Sequence, residues 1–122
     1  MLDSEKAAAA TMRNLIEGAE RRKLSNRRAS ITFDFRCNRL AYSATISRYS
    51  NGDLAEIFIN NSKVGSDSDS AAKDSAVVAS IALQHGVPLN IIRKALLRDP
   101  RGTASSPLGV ALDLVATWGS SC

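Results

Sequence analysis

Reactive side chains are scarce in this sequence: there is one histidine, His85, and there are two cysteines, Cys37 and Cys122, far apart. These three do not fall at metal-ligand spacing, so no metal site is expected, and two distant cysteines make no disulfide framework, which suits a reducing compartment. His85 stands beside Gly86, where a helix ends, and capping explains it better than catalysis. No phosphate-binding loop or dinucleotide fingerprint occurs, since Gly65 and Gly86 are single glycines in unrelated contexts. No apolar run approaches the roughly 20 residues of a membrane span, and Met1 to Ala10 has no signal-peptide pattern. The expectation is a cytoplasmic protein with no membrane partner, no cofactor and no catalytic residues of its own.

What remains is an ordinary globular composition, 44% hydrophobic and 23% charged over 122 residues, which fits one domain with a single core. The charge is uneven. Residues 1–50 carry ten Lys/Arg against five Asp/Glu, whereas residues 51–122 carry six against seven. Arg21, Arg22, Lys23, Arg27 and Arg28 form the densest cluster, with no acid among them. Such a cluster attracts phosphate groups, and it equally suits a solvated helix end, because cations there oppose the helix dipole.

The hydrophobic period divides the chain into residues 1–29, a helix over Ser4 to Lys23 with a basic connector, and residues 30–122, an α+β domain. From Ser30 the period is two: Ile31, Phe33 and Phe35 alternate with polar residues, as do Leu40, Tyr42, Ala44 and Ile46. Cys37-Asn38 reads as a short turn. Ser50-Asn51-Gly52-Asp53 contains the Asn-Gly pair of a tight hairpin, and a third strand follows over Leu54 to Asn60. Three strands so closely joined predict an antiparallel meander. Three helices are then predicted to pack on one face of the sheet. The first, Ala71 to His85, has caps available from Asp67 to Ser70 and ends at Gly86; its Ala72, Ser75, Ala76, Ala79, Ser80 and Ala82 let another backbone approach closely, and Val77, Val78, Ile81 and Leu83 are expected to give its apolar mass. The second is Pro88 to Arg98. The third starts at Pro107 behind Ser106, carries Leu108, Ala111, Leu112, Val115 and Trp118 on its core face, and stops at Gly119.

Two binding readings follow from the residues. In one, Lys63, Gly65, Ser66, Asp67 and Ser68 present N–H groups and hydroxyls at a helix start, and Arg36, Arg39 or Arg48 from the sheet reaches the same anion. The acids in that loop disfavour a bare phosphate and allow ribose hydroxyls; simple helix capping accounts for the same residues. In the other, Ala72 to Leu97 has the outline of a helix-turn-helix whose second helix, Pro88 to Arg98, offers Asn90, Arg93, Lys94 and Arg98 to DNA. Asp34 and Glu56, expected on neighbouring strands, could pair as a general acid/base couple, although acids on the polar face of a sheet are more often solvated or paired to Arg.

The order Leu54-Ala55-Glu56-Ile57-Phe58-Ile59, Lys63-Val64-Gly65-Ser66-Asp67 and Ser80-Ile81-Ala82-Leu83-Gln84-His85-Gly86-Val87-Pro88-Leu89 resembles the C-terminal (TSCPD) domain of adenosylcobalamin-dependent ribonucleotide reductases, which also occurs as small standalone proteins. Arg98-Asp99-Pro100-Arg101-Gly102 and Ser106-Pro107-Leu108-Gly109 extend the likeness, which runs from about Ser30 to Trp118. The Thr-Ser-Cys-Pro-Asp motif is absent, as is the barrel that holds the reductase's radical cysteine and cobalamin. Cys122 as a lone thiol cannot cycle as a dithiol. The resemblance implies a standalone, non-catalytic binding module in nucleotide metabolism. Its expected partners are a nucleotide or other phosphate-bearing ligand, with Glu56 beside the basic residues in the site, or a reductase subunit, and a homodimer through a sheet edge or the N-terminal helix. A nucleotide-sequestering protein whose two subunits share the ligand is a variant of the same reading.

Overall fold

The computed structural model describes residues 21–22 and 29–119. The predicted helix over Ser4 to Lys23, apart from Arg21 and Arg22, lies outside the described residues, as do Arg27, Arg28 and Cys122. Strands β1 (Ser30–Cys37), β2 (Leu40–Arg48) and β3 (Leu54–Asn61) form an antiparallel sheet in the order β1-β2-β3. Helices α1 (Asp67–Gln84), α2 (Leu89–Ala95) and α3 (Pro107–Gly119) follow. The meander and the mixed α+β fold are those expected from the alternation.

Register explains which face is covered. Phe35 lies opposite Tyr42, Ala44 opposite Ile59, and Ile46 opposite Ile57, so the aromatic and branched residues of all three strands share one face. That face packs on Ala72, Ala76, Ala79 and Leu83 of α1 and on Leu108, Ala111, Leu112 and Val115 of α3. Phe35 and Tyr42 stack with centroids 5.4 Å apart, and Trp118 meets Phe33 edge-on at 4.6 Å, which seats the end of α3 over β1.

The turns differ from expectation in an instructive way. The tight hairpin turn is Asn38-Arg39, with φ of 52° and 68°, the paired positive values of a two-residue type I′ connection. At Asn51-Gly52 only the glycine has positive φ. There the Gly52 N–H donates to the Tyr49 carbonyl at 2.9 Å, and the Asn51 side chain accepts from the Asp53 N–H at 3.0 Å. A local side-chain bond thus replaces the second positive φ, and the hairpin widens into a bulge beside Ser47 and Arg48.

The first helix also departs from its prediction. It begins four residues earlier, behind Ser66, whose hydroxyl accepts from the Asp69 N–H. Val77, Val78 and Ile81 are exposed, and the buried face is built from Ala72, Ala76, Ala79, Ser80, Leu83 and Gln84. The close approach expected of Ala72, Ala76, Ala79 and Ser80 is present and brings the helix backbone close to β3; only the expected apolar mass of Val77, Val78 and Ile81 lies outside. At the other end, Gly86 (φ 90°) donates to the Leu83 carbonyl and Val87 to the Ala82 carbonyl, the paired bonds of a Schellman cap. The single histidine, His85, is the C-cap, its backbone N–H donated to Ile81 and Ala82.

That close approach closes the outer edge of the sheet. A two-residue turn makes Cys37 and Leu40 a hydrogen-bonded pair, and alternation then leaves the N–H and C=O of Ala55, Ile57, Ile59 and Asn61 pointing away from β2. Helix α1 meets three of these residues with side chains. The buried Ser80 hydroxyl accepts from the Ile57 N–H and donates to the Ile57 carbonyl, both at 2.9 Å. Gln84 Nε2 donates to the Ala55 carbonyl at 3.1 Å, and Asp69 Oδ1 accepts from the Asn61 N–H at 2.9 Å. Ser80→Ala strands both Ile57 backbone groups and is expected to cost about 2 kcal/mol. Ser70→Ala, on the exposed side of the same helix, stays within about 0.5 kcal/mol, with urea denaturation as the measurement for both.

Candidate functional site

The sequence-predicted site residues divide between the two ends of the sheet. Arg36 and Arg39 flank the β1–β2 turn, and the loop from Lys63 to Ser68 leaves β3 at the same end, where the Ser62 N–H reaches the Ala41 carbonyl. Arg48 sits at the opposite end, seven residues beyond the partner of Arg36 and so about 24 Å away at strand rise. It donates to the Gly52 carbonyl at 2.9 Å. Glu56 is also remote from the loop, buried opposite Ser47. The structure thus separates Arg48 and Glu56 from the rest. Asp34 and Glu56 are not neighbours either: β2 lies between their strands, Asp34 is opposite Ser43, and Glu56 is opposite Ser47.

The loop itself is not an open anion cradle. The Gly65 N–H donates to Asp69 Oδ2 at 2.9 Å, the Lys63 N–H donates to Asn61 Oδ1 at 2.8 Å, and the Ser66 hydroxyl donates to the Lys63 carbonyl. The anion at this helix start is the protein's own Asp69 carboxylate, fully buried and joined by the Lys73 ammonium at 2.9 Å. Gly65, Lys73 and Asn61 together hold its pKa down at about 2. Asp67 is exposed on the first turn, and the half-buried Ser68 faces a second, mainly apolar cleft of about 550 Å³ shared with Asn38, Leu40, Leu96 and Pro107.

Beside the loop, on the sheet face away from the helices, a groove of about 440 Å³ crosses all three strands. Asp34, Ser43 and Asn60 form one row across it, and Arg36, Ala41 and Ser62 form the next. The Arg36 guanidinium donates one bond to the Arg39 carbonyl at 2.9 Å, which leaves most of its five N–H donors open to a ligand. Sequence reasoning selected Arg36 but passed over Ser43, Asn60 and Ser62. Their signal was the polar alternation of β2 and β3, which shows that a face is wet without showing that it is concave.

Other chemistry is internal. Arg21 Nε donates to the buried Gln84 side chain, and the Arg22 N–H donates to the Gln84 carbonyl at 2.8 Å. The Arg22 guanidinium lies 3.6 Å from the centre of the Tyr49 ring and 3.7 Å from Asp53. Two cations of the basic cluster therefore hold the C-terminus of α1 and the β2–β3 turn. Burial pushes the Cys37 thiol up, away from the thiolate a redox centre needs. Among the described residues, no group of three His, Cys, Asp or Glu side chains could hold a metal ion.

The second helix is shorter than predicted, ending at Ala95, because Leu96 turns extended and Arg98 bridges to Ala104. Arg98 meets Asp113 with two bonds of 2.8 Å, and Arg93 adds a third at 2.9 Å. Arg98, then burial's opposing effect, then Arg93 leave the Asp113 carboxyl at about 2. No family model, curated protein or solved structure matches the chain.

Both carboxyls titrate near 3.8 without these partners. Between that value and about 2 the unfolded chain binds more protons than the folded one. Their stabilisation is complete above the unfolded value and is lost as the pH falls through this window. Melting temperature should fall steeply there. Asp113→Asn should lower it by several degrees at neutral pH and flatten the acid limb; an acid limb as steep as wild type would remove Asp113 from this account.

Proposed function

We propose that the chain is a non-catalytic binding module that takes a nucleotide or another phosphate-bearing small molecule in the groove on the sheet face away from the helices. The observation that carries this reading is the convergence of the Arg36 guanidinium with Asp34, Ser43, Asn60 and Ser62 in one cavity. A guanidinium suits a phosphate oxygen, and a carboxylate with amide and hydroxyl neighbours suits ribose or base hydrogen-bond donors. Arg39 and Lys63 flank the same end of the sheet and add positive potential there. The motif resemblance supports a setting in nucleotide metabolism and the cytoplasm. In that setting, docking on a reductase subunit and sequestration of a nucleotide are the two uses such a module would serve.

The DNA reading is weaker. Of the four side chains it needs, Arg93 and Arg98 are both engaged by Asp113, leaving Asn90 and Lys94 exposed on a seven-residue helix.

Ligand linkage tests the proposal. A nucleotide present at a hundredfold excess over its Kd stabilises by about 2.7 kcal/mol, a rise of roughly ten degrees or more in the melting temperature of a domain this size. A panel of nucleoside mono-, di- and triphosphates at millimolar concentration should contain one that gives such a rise. Arg36→Ala and Asn60→Ala should each abolish it, the latter at a position on the strand far from β1. An unchanged melting curve across the panel would reject the reading.

A further inference from the structure

The outer edge of β3 is closed by α1, but the outer edge of β1 is not closed by anything among the described residues. The turn that pairs Cys37 with Leu40 points the backbone groups of Phe33, Phe35 and Cys37 towards β2, and hence those of Thr32, Asp34 and Arg36 outward. No backbone hydrogen bond to those outward groups occurs among the described residues. The strand is eight residues long and has no proline, lysine or bulge, and its two charges, Asp34 and Arg36, are of opposite sign, so they protect the edge against a neutral strand but not against one that pairs them. Thr32, Asp34 and Arg36 are all exposed.

We propose that this edge pairs with a second copy of the chain, β1 against β1, antiparallel about a two-fold axis at Phe35. The charges select that register. With Phe35 opposite its own copy, Asp34 of each chain faces Arg36 of the other, and these are the residues whose N–H and C=O point outward. Each such pair exchanges two backbone hydrogen bonds and sets a carboxylate against a guanidinium on one face of the sheet. Shifting the axis to Asp34 would oppose like charges, and shifting it to Phe33 would leave Asp34 opposite Thr32 and Arg36 opposite Ser30. The result is a continuous six-stranded sheet, with Arg36 carrying enough donors for both the second copy's Asp34 and its own groove. The proposal does not rest on the ligand reading, because the assembly is read without ligand.

The test is the mass of the full chain in solution by light scattering after size exclusion. Wild type should have twice the chain mass. Asp34→Arg sets arginine against arginine and Arg36→Asp sets aspartate against aspartate. Each should weaken association by about tenfold or more while leaving the circular dichroism spectrum folded. The double exchange, Asp34→Arg with Arg36→Asp, restores opposite charges across the axis and should restore the dimer. A monomeric wild type, single reversals that leave the mass unchanged, or a double exchange that stays monomeric would overturn the proposal. Should a reversal fail to fold, hydrogen exchange on wild type decides: the Asp34 and Arg36 amides should be protected at high concentration and lose protection on dilution. Fast exchange at every concentration would overturn it.

Discussion

Everything in this fold depends on how the last strand of a small sheet is finished. Three strands leave β3 with a row of unpaired backbone groups directly over the core, where water cannot serve them. A fourth strand would be the usual remedy. Here Asp69, Ser80 and Gln84 of α1 supply the hydrogen bonds instead. Because side chains are short, this works only if the helix backbone lies close to the strand. The demand explains the alanines at 72, 76 and 79 and the exposure of the larger Val77, Val78 and Ile81. The helix is chosen for its polar contacts with an edge as much as for apolar burial.

Much of the architecture was legible in the sequence because it rests on period. Alternation of Phe33, Phe35, Tyr42, Ala44 and Ile46 gives strands and their buried face directly, and Gly86 and Ser106 mark helix ends by local chemistry. What was not legible depends on contacts distant in sequence. Nothing near Ser80 says that its hydroxyl will meet Ile57, and nothing near Arg93 or Arg98 says that both will meet Asp113. The same blindness affects turns: Asn51-Gly52 has the favoured pair for a tight hairpin, yet the two-residue turn falls on Asn38-Arg39, where an arginine accepts positive φ because both strands fix the register.

The candidate site shows the limit more sharply. Lys63 to Ser68 has the composition of an anion-binding loop, and it does bind an anion, but the anion is a side chain of the adjoining helix. Composition cannot tell a cradle that awaits a ligand from one filled by its own chain. The groove beside it comes from three strands and became visible only when Asp34, Ser43 and Asn60 were seen to share a row. Of the sheet arginines expected to reach that loop's anion, Arg36 and Arg39 lie at the loop's end of the sheet, whereas Arg48 and Glu56 belong to the far end.

The self-liganded loop has an energetic meaning for whatever occupies the neighbouring groove. Loops that close around a bound molecule lose conformational freedom at the moment of binding, and affinity is reduced by that loss. With Asp69 already fastening Asn61, Gly65 and Lys73, the Lys63–Ser68 segment has given up its freedom during folding. An incoming molecule would meet this fixed backbone only at Asn61, which lines the groove and is already held by Asp69, and there it would be discriminated by shape rather than by its ability to order the chain.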